Sequence, residues 1–246
     1  MSVNSYLNDL AQRAIVRDNE KNKINISIEN IKSKLKSDNE VKDIKIFGSY
    51  KRGTIISRKF DENSDIDIMV IFKDDRYKPQ TYLNYLKGLI GQKYTRSEIH
   101  QSNPTIVLEL NHIKFELVPA LDYLFNIRYK IPEKQSNYAD WLVTDPDELN
   151  GKLTNNQNLR RLVRVAKIWN IKQGGLFNSY KLEKFIVNRN YICNWNLADY
   201  FYTFCDALIT NCNYPQYTND KIKKLKDKTG MANALDAENI IKDLFE

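Results

Sequence analysis

The chain of 246 residues is 42% hydrophobic and 11% aromatic, which supplies a buried core and excludes a globally disordered protein. Lysine and arginine outnumber aspartate and glutamate by 38 to 31, which suits either a polyanionic ligand or an ordinary basic surface. The three cysteines lack metal-ligand spacing, and neither a signal peptide nor an uncharged run of roughly 18 residues is present, so we expect a cytoplasmic protein without membrane contact.

Hydrophobic periodicity predicts an α+β chain, in which a front part of mixed strands and helices is followed by a helical part. The predicted helices before residue 148 cover residues 5–36, 50–56 and 79–90. The first of these has a break near residues 17–22. The predicted strands are 41–47, 66–72, 105–110 and 113–118. The predicted helices of the last part are 156–172, 179–188, 196–211 and 218–245. We expect Asn111-His112 to join the last two strands in a tight turn and Pro119 to end the second of them.

The turn region 141–146 separates these two parts of the chain. We therefore predict a bilobed protein with a first lobe over residues 1–145 and a helical lobe over residues 146–246.

Two aspartates stand at the start of the most apolar predicted strand. Asp65 and Asp67 flank one residue, and side chains two apart in a strand point to the same face. Their carboxylates can converge on a divalent cation, although an Asp-x-Asp pair is more often two exposed loop acids. Glu116 interrupts a neighbouring apolar strand and can supply a third ligand, with Glu109 and Asp122 as competing candidates.

Gly48-Ser49 follows the first predicted strand and precedes a short predicted helix. Ser49 is a suitable N-cap, and the backbone N–H groups of a helix start, with Lys51 and Arg52 nearby, favour an anion. A capped helix start without a ligand is the alternative. Neither a Walker-type loop nor the dinucleotide fingerprint is present.

The segment FGSYKRGTIISRKFDENSDIDIMVIF resembles the signature of the polymerase-β-like nucleotidyltransferases, and most closely their bacterial CD-NTase (SMODS) branch, related to cyclic GMP-AMP synthase and oligoadenylate synthase. KFELVPA is similar to the strand with the family's third carboxylate, NLRRLVRVAKIWN to its helix with a phosphate-contacting lysine, and NSYKLE to its Ser-Tyr segment. The four motifs stand in the family's order and cover roughly residues 45–190.

The resemblance implies a bilobed nucleotidyltransferase fold and assigns a role to each motif. It implies that Asp65, Asp67 and Glu116 bind two Mg²⁺ ions, with Mn²⁺ as an alternative metal, and that Gly48 and Ser49 hold the β- and γ-phosphates. It also implies that Lys167 and Ser179 reach the triphosphate and that Tyr180 stacks on a base.

Helical spacing also places Arg160, Arg164 and Lys167 on one face beside a buried stripe, which is either a phosphate-binding face or a solvated basic one. The third carboxylate of the family is usually Asp, whereas this chain has Glu116. The extra methylene moves the carboxylate by roughly 1.5 Å, and errors of that order can cost about 10²-fold in rate.

The resemblance favours an enzyme that joins nucleoside triphosphates into a cyclic or linear oligonucleotide second messenger, releases pyrophosphate, and acts in antiphage defence with an effector protein encoded nearby. A second hypothesis is nucleotidyl transfer onto a tRNA 3′ end or a protein hydroxyl, which the basic charge and compact length also suit. A third is a catalytically silent nucleotide- or RNA-binding module, motivated by Glu116.

Overall fold

The structure is a computed structural model that describes residues 1–102, 104–124, 127–134 and 137–246. The α-helices, in chain order, are α1 Val3–Arg13, α2 Asp18–Lys36, α3 Gly48–Arg52, α4 Pro79–Lys93, α5 Asn150–Thr154, α6 Gln157–Lys172, α7 Ser179–Val187, α8 Leu197–Ala207 and α9 Gln216–Leu235. The strands are β1 Val41–Ile46, β2 Asp65–Phe72, β3 Ile99–Ser102, β4 Thr105–Leu110, β5 Ile113–Tyr123, β6 Arg128–Pro132 and β7 Trp141–Thr144. Together they make the predicted α+β class.

The chain divides into two compact units. The sheet unit comprises residues 16–58 and 62–148, and the helical unit comprises residues 1–15, 59–61 and 149–246. No helix in the described ranges combines the length and the apolar character that a membrane crossing requires.

The sheet unit is built on a mixed sheet with the order β1-β2-β5-β4-β3, in which β6 pairs with β5 and β7 with β6. β2 and β5 run parallel, and the other described pairs are antiparallel. One face of β2 belongs to the main core, together with the apolar stripes of α2 and α4. The opposite face of β2 carries Met69 and Ile71, which pack with Val118 and Ala120 of β5. Burial on both faces explains why β2 is almost continuously apolar.

β2 carries Asp65 and Asp67 on the same face as Met69 and Ile71, because residues two apart share a face. The apolar part of the strand is buried, which fixes the two aspartates at its beginning. The predicted strand over 66–72 is therefore confirmed.

Residues 1–15 group with the helical unit, whereas the predicted first lobe ran over residues 1–145. Polar contacts of α1 account for the grouping: Asn8 Oδ1 accepts from Arg161 Nη1 at 3.0 Å, and Ala11 O accepts from Arg164 Nε at 3.1 Å. Asn4 Oδ1 also accepts from the Leu197 N–H at the start of α8, at 3.1 Å.

Pro119 does not end the strand that begins at Ile113, so that prediction is wrong. The pairing of β5 with β4 ends at Leu117, and its pairing with β6 begins at Leu121. Pro119 lies in the interval between these two partners, where the missing N–H breaks neither ladder.

A short helix follows β1, as predicted, but it begins at Gly48 and ends at Arg52 instead of covering residues 50–56, so Ser49 is not its N-cap. The chain turns back after Gly53, and Ser49 O accepts from the N–H groups of Thr54 and Ile55 at 2.9 and 3.1 Å. These two hydrogen bonds to the serine carbonyl form a turn at residues 53–55, where the prediction had placed the second half of the helix.

Other differences concern the ends of elements. The break in the first helix lies at residues 14–17, before the predicted 17–22, because the Arg17 N–H donates to Glu20 Oε2 and starts α2. The last helix ends at Leu235 instead of 245, where Asp236 adopts a left-handed conformation with φ of 44°. The short strands β3, β6 and β7 were not predicted, and β7 occupies the expected boundary turn.

Candidate functional site

The sheet unit brings the predicted carboxylates together on two neighbouring strands. In the parallel pair β2–β5, Asp65 lies opposite Lys114 and Asp67 lies opposite Glu116. Adjacent strands are about 4.8 Å apart, and paired residues point to the same face. Asp65, Asp67, Lys114 and Glu116 therefore form one cluster at the start of β2, which we call the carboxylate–lysine cluster.

Lys114 lies between two of the carboxylates. Its Nζ is 3.2 Å from Glu116 Oε1 and 3.7 Å from Asp65 Oδ2. Only 19% of its side chain is exposed, against 24% for Glu116 and 29% for Asp65. Burial opposes the charged form of Lys114, but the carboxylates of Glu116 and Asp65 outweigh it and raise the pKa of Lys114. The cluster therefore contains its own cation.

The carboxylates do not stand as a preformed metal cage. Within the part of the chain that the structure describes, no three His, Cys, Asp or Glu side chains are grouped closely enough to hold a metal ion as they stand. The ammonium of Lys114 lies between Asp65 and Glu116 instead. The assignment of the metal ligands therefore remains a prediction.

The two competing acids occupy different places on the sheet. Glu109 lies opposite Lys114 on β4, so it borders the cluster. Asp122 lies six residues beyond Glu116 on β5, roughly 20 Å along the strand, and pairs with Lys42. The geometry thus favours Glu116 over Asp122 as the third acid.

The glycine of the Gly48-Ser49 turn contacts one of these aspartates closely. Phe47 N donates to Asp67 O at 3.2 Å, which ties the end of β1 to β2. Gly48 has φ of +70°, and a Cβ at this position would overlap the carboxylate of Asp67. The residue must be glycine both for its backbone conformation and for the space that Asp67 occupies.

The helical unit contains the predicted phosphate-contacting cations, each with a protein partner. Lys167 Nζ is 3.2 Å from Glu183 Oε2, and 7% and 1% of the two side chains are exposed. Arg164 is buried and donates to the Ala11 carbonyl, and burial followed by repulsion from Arg160 and Arg161 lowers the pKa of Arg164 to about 10. Arg160 donates to the carbonyls of residues 153 and 154. The three cations thus contribute to the packing of this unit.

The Ser-Tyr segment opens α7, as predicted. Ser179 is its first residue, and the N-cap is Asn178, whose Oδ1 accepts from the Lys181 N–H at 3.0 Å. Ser179 is exposed, and Tyr180 is 43% exposed. Both side chains are therefore accessible to a ligand.

Sequence reasoning missed Lys114, Thr105 and Glu183 as members of these groups. Thr105 Oγ1 is 3.4 Å from Glu116 Oε2, with a shorter 2.5 Å contact to Ser102 O. Strand spacing places Lys114 on the same face as Glu116, two residues before it, but does not indicate its contact with Asp65. Glu183 leaves no local signal, since it belongs to a different helix from Lys167.

A mixed sheet that presents an Asp-x-Asp pair beside a glycine–serine turn, in a chain with a helical second unit, is the nucleotidyltransferase type of fold. Solved structures share this fold. The structure of E. coli MS115-1 CdnC with ATP has a TM-score of 0.72 and 14% identity, covering 100% of this chain and 98% of that one. The Bradyrhizobium diazoefficiens CD-NTase CdnG with GTP has a TM-score of 0.78 and 11% identity, covering 97% of this chain and 94% of that one.

The family follows from the sequence match. Residues 1–158 match the family described as the Second Messenger Oligonucleotide or Dinucleotide Synthetase (SMODS) domain, and the chain belongs to this family, the bacterial CD-NTases. It is also 28% identical over 190 residues to a probable cyclic nucleotide synthase of Bacillus cereus (strain VD146). That alignment covers 60% of this chain and 55% of the relative, so the chain matches about half of the relative's length.

Proposed function

We propose that this protein is a metal-dependent nucleotidyltransferase that joins nucleoside triphosphates into a cyclic or linear oligonucleotide second messenger and releases pyrophosphate. The observation that carries the proposal is the register of β2 and β5, which sets Asp65 and Asp67 against Lys114 and Glu116 on one face, beside Gly48. The family membership and the relative described as a probable cyclic nucleotide synthase support the same reaction. We further propose a cytoplasmic role in antiphage signalling through an effector protein encoded nearby.

The donor set of the cluster fits a hard divalent cation. Asp65, Asp67 and Glu116 offer only carboxylate oxygens, which are the ligands that Mg²⁺ and Mn²⁺ prefer. The ammonium of Lys114 already lies between two of them, which shows that these carboxylates accommodate a positive charge between them. We propose these three residues as the ligands of two Mg²⁺ ions, which supply charge neutralisation for the triphosphate and lower the pKa of the attacking hydroxyl when bound.

The remaining assignments concern the triphosphate and the base. Gly48 and Ser49 would offer backbone N–H groups and a hydroxyl to the β- and γ-phosphates, and Glu116 would lie nearest the attacking hydroxyl. In-line attack on the α-phosphorus needs mainly positioning and electrostatic stabilisation, with no covalent enzyme intermediate. The close packing of Gly48 on Asp67 couples the phosphate-binding turn to the carboxylates.

The remaining proposed nucleotide contacts are those of Ser179, Tyr180 and Lys167. Ser179 and Tyr180 are accessible, and we propose a phosphate contact for the first and base stacking for the second. Lys167 would have to exchange its contact with Glu183 for a phosphate oxygen, since the pair is buried as it stands. Arg164 has a mainly structural part, because its Nε donates to the Ala11 carbonyl of α1.

The reaction is tested by incubating the protein with α-³²P-labelled nucleoside triphosphates and Mg²⁺, followed by phosphatase treatment and mass spectrometry. We expect a phosphatase-resistant oligonucleotide from the wild type and at least a 10²-fold loss in Asp67→Asn. Asp43→Asn is the matched control, because Asp43 is an exposed acid on β1 that pairs with Lys36 at 3.1 Å. The absence of product from every mixture of the four nucleotides would defeat the proposal, and label transferred to RNA or protein would support the second hypothesis instead.

A further inference from the structure

We propose that Lys114 is an internal counter-ion that occupies the metal position of the resting enzyme, leaves it when the divalent cation binds, and thereby sets the affinity for that cation. The inference deepens the proposed function and rests on it, because it assigns a role to a residue beside the proposed metal ligands. Lys114 is a positioning residue in this scheme, since it acts through the carboxylates that it contacts.

The position of Lys114 follows from strand register. It pairs with Asp65 on β2 and with Glu109 on β4, and it precedes Glu116 by two residues on β5. Each of these acids therefore lies on a neighbouring strand or on the same face of its own strand. The lysine therefore has carboxylates on three sides, and it is the single lysine of β5.

Charge balance explains why a cation is needed there. Carboxylates on adjacent strands repel one another when nothing lies between them. The ammonium lies 3.2 Å from Glu116 and 3.7 Å from Asp65, so it bridges the two acids that a metal would otherwise bring together. The cluster is stable without metal because Lys114 supplies the charge.

The side chains have the mobility that such an exchange requires. Lysine carries a compact charge on a flexible four-carbon stem, and 19% of the Lys114 side chain is exposed, which leaves a route to solvent. Glu116 has one methylene more than the usual aspartate, and that extra reach permits the 3.2 Å contact with the lysine of its own strand. The glutamate and the lysine thus form a pair that a metal must separate.

The test measures binding of Mn²⁺ without nucleotide, by the electron paramagnetic resonance signal of the free ion. We expect Lys114→Gln to bind Mn²⁺ at least tenfold more tightly than the wild type, because the competing ammonium is gone. Lys114→Arg keeps the positive charge and should bind no more tightly than the wild type. Mn²⁺ should also raise the melting temperature of Lys114→Gln by more than that of the wild type, which verifies that the variant is folded.

Lys42→Gln is the matched control. Lys42 lies on β1 between the residues that pair with Ile71 and Phe72, at least four residues or about 13 Å along β2 from Asp67, and it forms its own ion pair with Asp122. The control removes the same charge from the sheet at more than a Debye length of about 8–10 Å from the nearest acid of the cluster, so its Mn²⁺ affinity should stay within about twofold of the wild type.

Equal or weaker Mn²⁺ binding by Lys114→Gln, including no detectable binding in either protein, would overturn the inference. That outcome leaves the proposed function standing if the wild type still forms an oligonucleotide from Mg²⁺ and nucleotides. If instead no product forms and Asp65→Asn and Asp67→Asn bind Mn²⁺ as the wild type does, the proposed function itself fails. The two failures are therefore distinguished by separate measurements.

Discussion

Replacing Gly48 by alanine is expected to destabilise the protein by about 2–5 kcal/mol, since two costs combine at this position. The backbone has φ of +70°, and a left-handed conformation costs a residue with a side chain about 1–2 kcal/mol. The new Cβ would also overlap the Asp67 carboxylate, and overpacking of this kind costs about 1–3 kcal/mol. For a chain of this size, each kcal/mol lowers the melting temperature by about 2–4 °C.

Gly175 provides the control that separates the two costs. It has φ of +73°, but a Cβ there would meet nothing within 4 Å. Gly175→Ala should therefore lose only the backbone part, about 1–2 kcal/mol. Urea unfolding of both variants measures the difference, which reports the contact between position 48 and Asp67. If Gly48→Ala loses no more stability than Gly175→Ala, the close packing on Asp67 is refuted.

The same substitution should affect the reaction. Alanine at position 48 must displace Asp67, and a shift of about 1 Å in a catalytic group can cost on the order of 10²-fold in rate. Product formation from labelled nucleotides measures this loss, with Gly88→Ala as the reference variant, because Gly88 is exposed in α4. Full activity in Gly48→Ala would contradict the proposed role of Asp67 as a metal ligand.

Chelation by EDTA should abolish product formation and excess Mg²⁺ should restore it, whereas full turnover in EDTA would exclude the metal-dependent reaction. Glu183→Gln should cost about 3–5 kcal/mol in urea unfolding, because it leaves Lys167 charged in a buried site; a loss below about 1 kcal/mol would show that the pair contributes little. Gly88→Ala should raise the free energy of unfolding by about 0.5–1 kcal/mol, because this helical glycine has nothing within 4 Å of a new Cβ; a lower melting temperature would contradict that account.

The elements that the sequence predicted correctly are those with a strong local pattern. β2 and β4 contain apolar runs, β1 has apolar residues interspersed with charged ones, and α4 begins with a proline in its first turn. The strands that the sequence did not predict are short: β3 and β7 have four residues each, and β6 has five. Such segments form strands because a neighbouring strand pairs with them, which no local pattern records.

The candidate site divides in the same way. Asp65 and Asp67 could be placed on one face from their spacing, and the hairpin predicted by Asn111-His112 placed Glu116 on a strand. The bridging role of Lys114 depends on which strand is the neighbour of β5, and topology alone decides that. The partner of Lys167 likewise depends on how α6 packs against α7. Pairings between distant segments were therefore beyond the reach of sequence patterns.

The grouping of α1 with the helical unit has a consequence for how the chain folds as it is synthesised. Residues 16–58 and 62–148 leave the ribosome before the helices that α1 contacts. The Val3 N–H donates to Asp236 Oδ1 at 3.0 Å, and this hydrogen bond can form only after residue 236 has been synthesised. At about 5–20 residues per second, roughly 100 residues take about 5–20 s to be made. During that time Leu7 and Leu10, which are buried in the finished protein, have no partners from residues 149–246. The sheet unit can fold first, while the amphipathic first helix remains a site for chaperones or aggregation until synthesis ends.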